Sequence, residues 1–156
     1  IQVGFAVGDK DLAKAKEICH YSLILSLVIA VGTALLTIIL RNEIAEIYTI
    51  DTKVIDLAAS LMFLASLFQF SDAIQVISAG ALRGYKDTKS ILYITFFSYW
   101  IIGLSLGLVL GLTNWIVEPI GPYGFWIGFI FGLTAAAILL AWRLNIVQKR
   151  AELAYL

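Results

Sequence analysis

Four long runs nearly free of charge alternate with short polar clusters along this chain: Tyr21 to Leu40, Leu57 to Leu82, Ile91 to Leu112 and Gly121 to Trp142. Each is close to the roughly 20 apolar residues needed to cross a bilayer core. None alternates apolar and polar residues with the period of two that a membrane barrel requires. A helix is the single-segment structure that satisfies its own backbone in lipid. The pattern therefore predicts an all-α, polytopic transmembrane helix bundle with four full spans, at about 21–40, 57–82, 91–112 and 121–142. Ile1 to Gly8 is apolar but too short to cross, and reads as the tail of a preceding helix in a longer chain.

The connections carry their own signals. Asp9 and Asp11 precede Leu12, Ala13 and Ala15, which suits a capped helix start, so residues 1–20 read as a helix tail followed by an interfacial segment. Glu43 to Tyr48 suits a short surface helix, and Asp51 or Thr52 a cap for the second span. Pro119 and Pro122 forbid a continuous helix through Thr113 to Tyr123. Trp115, Tyr123 and Trp126 suit one interfacial aromatic belt and Trp142 the other. After the second span, Gly84 suits a sharp reversal. Gly103, Gly107 and Gly111 in the third span, and Gly124, Gly128 and Gly132 in the fourth, recur every fourth residue and predict close helix contact.

Composition supports the membrane reading: 61% of residues are hydrophobic, 14% are charged, and mean hydropathy is +0.93. The net charge of zero offers no basic excess for nucleic acid. Lysine and arginine gather on one side: Lys10, Lys14 and Lys16, then Arg83, Lys86 and Lys89, then Arg143, Lys149 and Arg150. The other side has Arg41 and Lys53, so the positive-inside rule puts both ends of the chain in the cytoplasm. Cys19 and His20, each the sole residue of its type, give neither an internal disulfide nor metal-ligand spacing. No nucleophile-base pair or phosphate-cradling loop is evident, so the expectation is a protein that is not an enzyme and needs no cofactor.

Asp72 is the one charge between Leu57 and Leu82. As a helix that run is about 39 Å long, with Asp72 in its hydrocarbon interior, where a carboxylate costs roughly 2.5 kcal/mol or more. Intramembrane acids usually face a cavity or an ion path. Helical spacing sets Phe68, Asp72 and Gln75 on one face, flanked by Gln69. Gln69, Asp72 and Gln75 offer a carboxylate and two amides to a hard cation or proton, with Asp72 as the sodium ligand. The competing structural reading has Asp72 bonded to Ser98, Tyr99 or Trp100 of the third span. A carboxylate can hold a proton, a metal cation or an organic cation in turn, and competition among them is the simplest basis for exchange.

The stretch from Phe68 to Thr88, with Gln69, Ser71, Asp72, Gln75, Gly80, Arg83, Gly84, Tyr85, Lys86 and Asp87, resembles the signature of the multidrug and toxic compound extrusion family, in its NorM-like branch. Val3, Gly4 and Gly8, then Ser98, Tyr99 and Trp100 with Gly103 and Gly107, then Gly124 to Gly128, follow in the family's order. The resemblance implies the C-terminal part of the C-lobe of a twelve-helix antiporter in the bacterial inner membrane, with the N-lobe and the remaining C-lobe helices of the same polypeptide as partners. It implies export of cationic, often aromatic drugs in exchange for sodium ions or protons. Asp72 then matches the family's cation-binding aspartate, with Phe68 and Tyr99 as cavity-lining candidates. Phe68 stands where some members have a tyrosine, and Ser105 where a proline is expected. Two other expectations compete. A lipid-linked oligosaccharide flippase of the same superfamily would favour a basic cavity, and a non-transporting membrane assembly subunit would use the glycine faces for docking.

Overall fold

The computed structural model describes residues 1–154. A short helix, α1 (Gln2–Gly8), leads into α2 (Leu12–Tyr48) and α3 (Thr52–Gly84). The third span is composite: α4 (Thr88–Phe96), a π-helical stretch (Phe97–Leu104) and α5 (Ser105–Leu112). It is followed by α6 (Pro122–Ala154). Four of these units are long and apolar enough to cross a membrane: α2, α3, the composite third span and α6.

The helices begin and end for local reasons. The Asp11 side chain accepts from the Lys14 backbone N–H at 3.0 Å, and Asp51 from that of Lys53 at 2.9 Å, so one of the free donors at each helix start is met. Pro122 opens α6, a position where its missing N–H costs nothing. Two expected surface pieces are absorbed into α2. Residues 12–20 are its first turns, and Glu43 to Tyr48 are its last, so neither forms a separate interfacial helix. Hydropathy marks where lipid ends, whereas the backbone hydrogen-bond ladder continues wherever nothing breaks it.

The reversal after α3 also differs from expectation. Lys86, at φ 62°, takes the left-handed conformation, while Gly84 serves another purpose. The Lys86 N–H donates to the Arg83 carbonyl at 3.0 Å and the Asp87 N–H to Leu82 at 2.9 Å, a helix-ending pair that satisfies two orphan carbonyls. The turn after α1 repeats it: Lys10 is at φ 62°, and Asp11 N–H donates to the Ala6 carbonyl at 2.9 Å. The sequence repeats in step, with Gly4, Gly8, Lys10 and Asp11 matching Gly80, Gly84, Lys86 and Asp87. Gly84 lets α1 approach α3, since a Cβ there would lie 2.9 Å from Val3 Cγ1 and 3.0 Å from the Gly4 nitrogen.

In the bundle α2 packs along α3, α3 along α6, and α6 along the third span, with α1 wedged between α2 and the end of α3. Small residues dominate the contacts: Ala15, Ala30, Ala34, Ala59, Ala136 and Ala137 are buried while Leu25, Val28, Leu36 and Ile138 point outward. Lipid is as apolar as leucine, so close packing of small residues rather than water exclusion holds these helices together. Larger side chains are buried near the two lysine turns, where Leu82, Ile91 and Leu140 meet.

The second turn is tied to α6. Arg143 Nε donates to Asp87 Oδ2 at 2.7 Å, and Ser90 Oγ to Asp87 Oδ1 at 2.7 Å. Partial burial pushes the Asp87 carboxyl up, but the hydrogen bonds from Arg143 and Ser90 and the guanidinium charge outweigh it and hold Asp87 below its ordinary value. A depressed carboxyl stabilises the fold above its unfolded pKa, about 3.9, and loses that contribution as pH falls through the folded value. In the full-length protein Asp87→Asn therefore lowers the melting temperature at neutral pH, and the gap to the parent closes below about pH 4. Thermal unfolding in detergent across that range checks it; a gap independent of pH would exclude the ion pair as the cause. The Lys16–Glu152 pair, at 3.2 Å between exposed side chains, contributes little by comparison.

Candidate functional site

The α3 spacing that puts Phe68 one turn before Asp72 sets both on the wall of a recess of about 550 Å³. Its opposite wall is Tyr99, Trp100 and Leu104 of the third span, and its floor is Trp126, Phe129 and Leu133 of α6. Among these lining residues Asp72 alone is charged. The Phe68 and Trp126 rings close one side, with centroids 6.0 Å apart and tilted by 43°. An acid among aromatic faces can attract a cation both by charge and by the ring quadrupole.

Asp72 makes no hydrogen bond or ion pair among the described residues. The structural reading, in which a neighbouring span bonds the carboxylate, therefore fails for this arrangement. Ser98, one of the expected partners, is fully buried against α6, and its hydroxyl has no partner among the described residues. Of the residues expected around Asp72, Phe68 and Tyr99 line the recess with it, and Gln69 and Gln75 do not. Gln69 is turned to α2, where its Oε1 accepts from Thr33 Oγ1 at 2.6 Å. On the α6 side, Ser71 and Thr134 share a hydrogen bond of 2.8 Å. Both bonds fix the rotation of α3, which is what aims Asp72 into the recess.

The Trp126 ring packs on Phe68 at the recess. The signal for it was present: Trp126, Phe129 and Leu133 are spaced by three and four on one face of α6, opposite the glycine contact. Across that contact a Cβ at Gly128 would lie 2.5 Å from the Gly103 carbonyl oxygen, and one at Gly132 2.9 Å from the Gly103 Cα. Within the described residues no group of three His, Cys, Asp or Glu residues could hold a metal ion.

Spans joined in this order around a single-acid, aromatic-lined recess define a multi-pass α-helical membrane protein. The MatE family model matches residues 1–109, and the chain belongs to that family. It is 55% identical over 152 residues to multidrug resistance protein NorM of Photobacterium profundum, covering 97% of this chain and 33% of that protein. It is 49% identical to multidrug resistance protein MdtK of Photorhabdus laumondii, again covering 97% of this chain and 33% of the relative. The fold is similar to the inward-facing conformation of a multidrug resistance MATE family transporter of the MOP superfamily, with a TM-score of 0.84 at 15% identity over 97% of this chain and 34% of that one. It is also similar to the eukaryotic MATE transporter AtDTX14, with a TM-score of 0.78 at 19% identity over 96% of this chain and 35% of that one. The chain spans about a third of the length of these relatives.

Proposed function

We propose that this chain is the C-terminal part of the C-lobe of a secondary multidrug antiporter, which exports cationic, often aromatic compounds in exchange for sodium ions or protons. The observation that carries the reading is a carboxylate, Asp72, that has no partner among the described residues and opens from the apolar interior of α3 on a recess of aromatic rings. A charge kept in lipid without a partner costs stability, so its retention argues for a ligand. The coupling ion and the drug compete for that carboxylate, and whichever is bound excludes the other. Multidrug resistance is in the printed names of the NorM and MdtK relatives, which supports the choice of cargo.

The recess is one wall of a cleft, which the N-lobe and the other C-lobe helices of the same polypeptide complete. The lysine-rich ends face the cytoplasm of a bacterial inner membrane, in keeping with the positive-inside rule. Membership of the MatE family supports transport rather than enzymatic chemistry. The test is export of a cationic aromatic dye by the full-length protein in vesicles under an imposed sodium or proton gradient. The expected result is dye accumulation against its own gradient, driven by one of the two ions. Export under neither would overturn the reading.

A further inference from the structure

The buried positions along the third span are Ile91, Ser98, Gly103, Gly107 and Gly111, at steps of seven, five, four and four. Steps of four and seven stay on one face of an α-helix. A step of five overshoots that face by about 140°, and only a π turn, with its i to i+5 pairing, brings the fifth residue back. The π-helical stretch covers this step. Its result is visible at Gly132 of α6, where an added Cβ would lie 2.9 Å from the Ser98 carbonyl oxygen and 2.9 Å from the Gly103 Cα.

An unbroken α-helix would instead set Tyr99, four residues before Gly103, against α6. A ring cannot enter a contact that leaves no room for a methyl group. The π turn seats the small Ser98 there and turns Tyr99 and Trp100 to the recess. Ser105 Oγ closes the stretch by donating to the Trp100 carbonyl at 3.4 Å, five residues back. Apart from Asp72, Tyr99 is the one lining residue with a side-chain oxygen, since Phe68 has none. A hard cation needs several oxygens, and a lone carboxylate is an incomplete shell.

We propose that the π turn is the device that delivers the Tyr99 hydroxyl to Asp72, and that the two side chains together hold the coupling cation. This rests on the reading of Asp72 as the cation site. The full-length protein in vesicles tests it, with dye export titrated against sodium and against pH. Tyr99→Phe keeps the ring and loses the oxygen; it raises the cation concentration for half-maximal export by about tenfold, the loss expected for one hydrogen bond or ligand to a charged group. The melting temperature in detergent stays at the parent's, which a merely structural defect would not spare. Deleting Ile101, which is exposed within the π stretch, makes Ser98 the fourth residue before Gly103. A regular α-helix then meets both contacts with Tyr99 still at the recess, and the cation dependence remains the parent's.

Parental cation dependence in Tyr99→Phe would overturn the proposal, as would a folded Ile101 deletion that behaves like Tyr99→Phe. Should the deletion fail to fold, the Tyr99→Phe titration decides alone. Asp72→Asn in the same vesicles separates the two levels. If it exports like the parent, the cation site itself is misplaced; if it is inactive while Tyr99→Phe is parental, only the role of Tyr99 falls.

Discussion

Asp72→Asn in the full-length protein is expected to abolish ion-coupled export while membrane insertion, elution profile and melting temperature stay at or above those of the parent. The substitution keeps the shape of the side chain and removes its charge. Because Asp72 bonds nothing among the described residues, no partner is left stranded by the change. Folding gains if anything, since an unpaired charge at this depth costs roughly 2.5 kcal/mol or more. Ligand binding loses heavily. Two opposite unit charges about 4 Å apart at an effective dielectric near 20 attract by on the order of 4 kcal/mol, close to three factors of ten in affinity. Export of a cationic dye under a sodium or proton gradient should therefore fall to background, with thermal unfolding measured on the same preparation. Normal export from normally expressed Asp72→Asn would sink the role given to this residue. A loss of export accompanied by a lower melting temperature would point instead to a structural role.

Asp72 was legible because hydropathy singles out a charge in an apolar run without knowledge of any neighbour. The same property made the four crossings legible, since each depends only on its own segment. What lies around Asp72 was not. Gln69 and Asp72 sit three apart on α3, yet the Thr33 hydroxyl draws Gln69 to α2 while Asp72 opens towards α6 and the third span. Helical spacing gives relative azimuth and leaves open which helix occupies each side. The pairing of Asp87 with Arg143 was hidden for the same reason, being a contact between a turn and a distant helix. Two features were written in the sequence in a less familiar form. The step of five from Ser98 to Gly103, ahead of two steps of four, encodes the π turn. The repeat of Gly4, Gly8, Lys10 and Asp11 in Gly80, Gly84, Lys86 and Asp87 runs parallel to the matching turns, in each of which the lysine takes the left-handed conformation.

The glycine contact between the third span and α6 should tolerate no added volume, and Gly128→Ala, in the middle of the α6 row, probes it. A Cβ at Gly128 would stand 2.5 Å from the Gly103 carbonyl oxygen, 2.6 Å from the Gly107 nitrogen and 2.7 Å from the Gly107 Cα. All three are backbone atoms, so no rotamer change relieves the clash and the helices themselves must part. Parting them forfeits dispersion contacts along the length shared with Gly103, Gly107 and Gly111, with no hydrophobic gain to offset the loss in lipid. Overpacking of this kind costs about 1–3 kcal/mol, a sizeable share of the 5–15 kcal/mol typical of a folded protein. Gly32→Ala is the matched control, because a Cβ there meets nothing within 4 Å. Alanine is the better helix former by roughly 0.5–1 kcal/mol, so the control should be neutral or slightly stabilising. Thermal unfolding of both variants in detergent reads the difference directly. Equal melting temperatures for Gly128→Ala and Gly32→Ala would mean that the two spans are not held at backbone contact. Separation of the spans also moves Tyr99 and Trp100 away from Trp126 and Phe129 across the recess. Gly128→Ala should therefore weaken dye export even in molecules that remain folded, an effect that no change at Gly32 can produce.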